Sequence, residues 1–153
     1  MFKFAQTTPA KVRFSTPTGS VEFTMHFRWL PATERLRHIE ARDREIESIN
    51  AEALRQVTAA GERPESETPP EPDALLSALD LELVSERTRR IVDANAALVS
   101  ALAEDWDIPG EAGEPVPFTQ ENIAALLDLA PGVFAIIQEV AQEATSIRAL
   151  EKN

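Results

Sequence analysis

His26 and His38 are the two side chains best suited to proton transfer or metal ligation near neutral pH. Each stands alone. Neither has a second histidine three or four residues away, the spacing that places two ligands on one helix face. His26 falls on the polar side of an alternating segment and His38 in a run of charged residues, so both read as surface histidines. Carboxylates are abundant, at 26, but acid–base work by a pair needs one of them in an apolar pocket that raises its pKa. Glu104, Asp105 and Asp107 flank Trp106, the best such setting in the chain, yet they sit beside a loop where solvent is expected. No serine has a G-x-S-x-G context. Gly61, Gly110, Gly113 and Gly132 lack phosphate-loop spacing and a following Lys-Ser/Thr. Glu111 to Glu114 is too short for a calcium loop. The absence of cysteine excludes disulfides, thiolate metal sites and cysteine nucleophiles. The expectation is a non-enzymatic binding protein with no catalytic, cofactor-binding or metal-ligating residue.

The elements behind these residues follow from periodicity. Val21, Phe23, Met25, Phe27 and Trp29 alternate with Glu22, Thr24, His26 and Arg28, the pattern of a half-buried strand. Val12 and Phe14 alternate with Lys11, Arg13 and Ser15 before it, and Thr16 to Ser20 has hairpin-loop chemistry. Phe2 and Phe4 are candidates for a short third strand. A lone hairpin is marginal in water, so its aromatic face must cover the helices behind it, which is the favoured reading, or meet another chain. Thr33 is placed as the N-cap of a first helix, whose apolar stripe is Leu36, Ile39, Ile46, Ile49, Leu54 and Val57. Glu40 and Arg44 form an i,i+4 pair on it.

Residues 58–72 hold Gly61, Pro64, Pro69, Pro70, Pro72 and four glutamates, and read as an exposed linker. A long helix is predicted from about Asp73 to about Asp105, with Leu76, Leu79, Leu83, Ile91, Leu98, Leu102 and Trp106 in its stripe; Arg87, Thr88 and Asn95 interrupt it. After a loop rich in Pro and Gly, Thr119 caps a short helix, with Phe118 and Ile123 spaced as a hydrophobic staple and Asn122 able to reach back to the cap. Ala130-Pro131-Gly132 breaks into a last helix, with Pro131 suited to its first turn. The fold class is thus α+β, mainly α: an N-terminal hairpin and four helices, one of them long. The organisation is 1–57 for hairpin and first helix, 58–72 for the linker and 73–153 for the helical region, which forms one domain with the front.

The net charge of −11 is uneven. Up to Val57 there are nine Lys/Arg against seven Asp/Glu; from Thr58 onward there are six against nineteen. So acidic a C-terminal part repels phosphate backbones, which argues against a nucleic-acid partner. No apolar run approaches the ~20 residues of a membrane span, and the N-terminus lacks a signal-peptide core. The expected location is the cytoplasm.

Trp106-Asp107, the run Gly113-Glu114-Pro115-Val116-Pro117-Phe118-Thr119-Gln120-Glu121-Asn122-Ile123, Leu126-Leu127, Pro131-Gly132-Val133 and the closing Lys152-Asn153 carry a resemblance. Together they resemble the C-terminal part of tail assembly chaperones from long-tailed bacteriophages and prophages. In that family a tryptophan ends a helix, a Gly-Glu-Pro-Val-Pro-Phe-type turn leads into a short helix, and a proline breaks into the last one. The hairpin resembles the family's front more loosely. The resemblance implies an assembly factor in the host bacterial cytoplasm, absent from the mature virion. Its implied partner is the tape measure protein, which it keeps soluble while tail-tube subunits polymerise, with the tail-tube protein as a further partner.

Three other readings compete: a structural tail component such as a completion or terminator protein, a small enzyme using Asp or Glu near Trp106, and a self-associating scaffold forming a homo-oligomer. The side chains expected to meet a partner are Phe23, Phe27, Trp29, Leu83, Ile91, Leu98, Trp106, Phe118, Leu127 and Phe134, with the hairpin as the foremost contact.

Overall fold

The computed structural model describes residues 7–61 and 72–146. Phe2, Phe4, most of the Pro/Glu segment and the closing Lys152-Asn153 lie outside them. Strands β1 (Thr7–Thr16) and β2 (Gly19–Arg28) pair antiparallel, with Val12 opposite Phe23 and Thr16 opposite Gly19. The connection is shorter than the expected Thr16–Ser20 loop, because only Pro17 and Thr18 remain unpaired. Proline presets the first turn residue. Gly19 then takes a φ of +146°, which a side chain would resist, while no non-glycine residue among those described has positive φ.

Alternation gives the hairpin two unlike faces. Val12, Phe23, Met25 and Phe27 point inward and are buried. Outside, Glu22 takes Lys11 Nζ at 2.7 Å and Arg13 Nε at 2.7 Å.

Helix α1 (Ala32–Gly61) begins ahead of the expected cap. The amides of Glu34 and Arg35 both donate to the Pro31 carbonyl at 3.0 Å, so Thr33 lies inside the first turn. The Glu40–Arg44 pair forms at 3.5 Å. Helix α2 (Pro72–Leu102) runs back antiparallel along α1.

The largest departure from expectation comes next. The long helix stops at Leu102, and Ala103–Trp106 is a strand, β3, rather than the helix end that Trp106 was expected to mark. It pairs antiparallel with β2, giving sheet order β1-β2-β3, with Met25 opposite Trp106 and a bulge between His26 and Phe27. Helix propensity is a weak preference that tertiary context overrides. Here the open edge of β2 supplies partners for the backbone, and Pro109 bars helix from continuing past Ile108.

Helices α3 (Gln120–Leu129) and α4 (Val133–Ala144) follow a bent segment. Thr119 caps α3 as expected, accepting from the Asn122 amide at 3.2 Å. The Asn122 side chain does not reach the cap amide; it donates to the Pro117 carbonyl at 2.8 Å and ties the preceding turn to the helix. Pro131 sits in the turn before α4 rather than in its first turn, and Gly132 is the N-cap. The core lies where α2, α3 and α4 meet the inner face of the sheet, and includes Phe27, Met25, Val99, Ile123 and Ile137. Among the described residues the architecture is therefore a three-stranded antiparallel sheet with four helices, α+β and mainly α.

Candidate interaction surface

Trp106 is the hub of the packed body. Its ring meets Phe23 edge-on at 6.3 Å and Phe118 at 5.1 Å, and its Nε1 donates to the Val116 carbonyl at 2.7 Å. Asp107 beside it closes the sheet edge. Its Oδ1 accepts the Thr24 amide at 2.5 Å while its own amide donates to the Thr24 carbonyl at 3.1 Å. The donated Thr24 backbone N–H holds the Asp107 carboxyl below the usual carboxylate range. A lowered pKa is the opposite of what a general acid needs at neutral pH. Asp107 is a structural acceptor.

The α1–α2 pair is built differently. Ile49 is its one fully buried large side chain on α1 among the described residues. Leu83, Ala53 and Ala94 add smaller or half-buried apolar contacts, and polar bonds run alongside them. Arg42 Nε donates to Asn95 Oδ1 at 2.8 Å, Arg87 Nε to Asn50 Oδ1 at 2.8 Å, and Arg90 Nη1 to Glu52 Oε2 at 2.6 Å. The Arg42 guanidinium also lies 5.0 Å from the centre of the Phe134 ring, which links α1 to α4. The hydrogen bond from Arg90 lowers the pKa of Glu52, and Glu52 in turn raises that of Arg90. Arg87 and Asn95, which interrupt the apolar stripe in the sequence, are rungs of this ladder; Thr88 instead donates to the Val84 carbonyl at 2.7 Å.

Away from the body, apolar side chains face solvent. Leu54 and Val57 on α1, and Leu81 and Val84 on α2, are all exposed, Leu81 at 71 %. They share one side of the pair. Leu54 lies one turn from Asn50 and Val84 one turn from Arg87, and Asn50 and Arg87 are bonded to each other across the seam. Where α2 enters the body, a groove of about 470 Å³ opens, lined by Ser85, Thr88, Arg89, Val92, Asp93, Ala124, Ala125 and Asp128. Charge is sorted along the chain more sharply than the halves of the sequence reveal. From Ile91 to Ile147 there are ten carboxylates and no Lys, Arg or His.

Of the ten side chains expected to meet a partner, Phe23, Phe27, Leu98, Trp106, Leu127 and Phe134 are buried in the core. Trp29, Leu83, Ile91 and Phe118 are half-buried. The structure brings Phe23, Trp106 and Phe118 together as packing, and Trp29 ties the hairpin by donating from Nε1 to Thr8 Oγ1 at 3.0 Å. The hairpin's aromatic face is covered by the chain's own helices, the reading favoured from the sequence. As folded here, contact through the six buried side chains would require the core to open. The open surface is instead the α1–α2 arm with the adjoining groove.

An assembly-factor reading needs such a surface, and comparison with known proteins decides the family. A family model for phage tail assembly chaperones matches residues 2–150, nearly the whole chain. The chain belongs to that family. The match reaches across the hairpin, the arm and the body, so it includes the middle of the sequence as well as the motifs around Trp106. Membership points to a non-catalytic role with protein partners in tail assembly. No curated protein and no solved structure matches the chain.

Proposed function

We propose that this chain binds the tape measure protein in the host cytoplasm, keeps it soluble while the tail tube assembles, and is released before the virion is complete. The observation that carries this reading is the arm. Four large apolar side chains stand exposed on one side of an antiparallel helix pair, beside an acidic body. Exposed apolar side chains gathered on one surface mark interaction sites, and helix faces recognise other helices through spaced apolar anchors. A long helical client with apolar stripes needs its stripes covered and the complex kept charged. The arm can do the first, and ten carboxylates without a cation between Ile91 and Ile147 can do the second. The tail-tube protein is the second partner proposed, reached when the tube displaces the chaperone from its client. Displacement favours modest affinity per contact and many copies per client.

Coexpression tests the proposal. The tape measure protein of the same locus, expressed with and without this chain, is separated into soluble and pelleted fractions. Soluble tape measure protein that co-purifies with the chain is the expected result. Equal precipitation in both cases would sink the reading. Purified particles are expected to lack the chain by mass spectrometry; its presence there would make it a structural tail component.

A further inference from the structure

We infer that the groove between the free face of α2 and α3, continued by the exposed side of the arm, seats an amphipathic helix that is apolar over the arm and carries Lys or Arg where it crosses α3. The inference rests on the proposed role only for the identity of the protein that owns the helix; the chemistry of the helix comes from the surface.

Three observations define that chemistry. The first is an interrupted helix face. Val92 and Val99 continue along α2 the face begun by Leu81 and Thr88, at helical spacing. Val99 is fully buried in the body, whereas Leu81 and Val84 are exposed. One stripe is thus covered over its C-terminal half and open over its N-terminal half. From Leu81 to Val92 it is about 16 Å long at ~1.5 Å per residue, room for three turns of another helix.

The second is the shape of the inner end. The groove has small walls, with Ala124 and Ala125 on α3 facing Ser85 and Thr88 on α2, so a partner backbone can approach closely. Leu129, one turn beyond Ala125, is 85 % exposed and extends the outer wall.

The third is charge. Asp93 and Asp128 line the groove, and Glu121 lies one turn before Ala125 on α3. Asp128 and Glu121 form no ion pair among the described residues, whereas Arg89, the cation of the groove lining, is paired with Glu86 at 3.1 Å and also feels the charge of Asp93. An acidic partner would meet these carboxylates with like charge. A second copy of this chain would bring its own net charge of −11. A basic helix meets complementary charge.

The test uses the full chain and two labelled synthetic helical peptides, one with a leucine stripe edged by lysine, the other with the same stripe edged by glutamate. Fluorescence anisotropy is expected to show binding of the lysine peptide, and binding of the glutamate peptide weaker by roughly tenfold or more. Val84→Glu and Asp128→Lys, both at solvent-facing positions and checked for folding by circular dichroism, are each expected to weaken the lysine peptide by roughly tenfold. Glu111→Lys, on the far loop, changes charge as much as Asp128→Lys and is expected to change binding by less than about twofold. Unchanged binding in both groove variants overturns the proposal. So does an equal loss in Glu111→Lys, which would mean diffuse attraction to an acidic surface. Sedimentation of the chain alone covers the remaining occupant: a dimer that Val84→Glu dissociates assigns the groove to a second copy and overturns the basic-helix partner. Coexpression separates the levels. If wild type and groove variants solubilise the tape measure protein equally, the groove is wrong and the proposed function stands; if wild type fails too, the function is wrong, and the peptides still judge the groove.

Discussion

Over its last turns α2 is packed into the body, with Ala96, Leu98, Val99 and Leu102 buried between sheet and helices. Around Leu81 to Arg87 the same helix has α1 on one side and solvent on the other, with Leu81 and Val84 exposed. The body is held by aromatic edge contacts and apolar packing centred on Trp106. The arm is held by a polar ladder beside a thin apolar seam, in which Ile49 is the one fully buried large side chain on α1 among the described residues. Hydrophobic burial supplies most of the favourable free energy of a fold, while exposed ion pairs contribute little. The body should therefore carry the global stability and the arm should open locally at lower cost. Low-stability segments are those that binding proteins reshape. The difference teaches that this chain keeps its stabilising core apart from its exposed apolar side chains on the arm.

The comparison is broken most directly at the hub. Trp106→Ala removes the contacts to Phe23 and Phe118 and the bond to Val116. It is expected to cost about 3–5 kcal/mol in urea unfolding followed by circular dichroism. A loss under about 1 kcal/mol would show that Trp106 does not organise the body. A smaller effect, confined in space, is expected at the arm. Ile49→Ala should cost about 2 kcal/mol, the low end for a buried isoleucine, because its neighbours on α1 are solvated and can relax. Its signature is location. Amide exchange should quicken over the distal half of α1 and the facing turns of α2, and stay unchanged in β2. Equal acceleration in β2 would make arm and body one cooperative unit.

Much of this was legible because it is local. The period-2 run from Val21 to Phe27 predicts its strand and, from Phe23 on, its buried face, whereas Val21 beside the turn stays exposed; Thr119 predicts its own cap contact. What local chemistry could not show was β3. Ala103-Glu104-Asp105-Trp106 suits a helix, and only the edge of β2, about eighty residues away in sequence, recruits it to the sheet. Which large apolar side chains stay on the surface was harder to read for a related reason. Large aromatic and aliphatic side chains on periodic faces bury the most area, and so Phe23, Trp106 and Leu127 went to the core. The available surface is made of leftovers: Leu81 and Val84 outside the seam, and small Ala124 and Ala125. One signal was present. Arg42 and Asn50 on α1 align antiparallel with Asn95 and Arg87 on α2, and that register would have paired the helices and shown which face of α2 stays open.

Acidity sharpens the comparison further, because Asp107 in the body and Glu52 in the arm each have a pKa lowered by a specific contact. In the body, the Thr24 amide lowers that of Asp107. A depressed folded pKa means stability that is fully present above the unfolded value, about 3.9 for Asp, and lost as pH falls through the folded value. Asp107→Asn should therefore lower the urea midpoint at pH 7, and the gap from wild type should close as the medium is acidified below about pH 4. A gap that persists to pH 2 would assign the effect to geometry rather than to the charge.

The smallest effect is expected at Glu52, whose pKa is lowered first by the hydrogen bond from Arg90 and then by that group's charge. The sign is the same as for Asp107. The contribution is present above the unfolded value, about 4.3 for Glu, and disappears as pH falls through the folded one. Exposure separates the two cases, since the Glu52 and Arg90 side chains are 44 % and 33 % exposed and solvent screens the pair. Glu52→Gln should leave the urea midpoint of the whole chain unchanged within error. Its effect should appear only as faster amide exchange along the arm at neutral pH, corrected for intrinsic rates, and should fade both in acid and in high salt. A shift of the global midpoint would mean that the ladder, and not the aromatic hub alone, helps hold the body together.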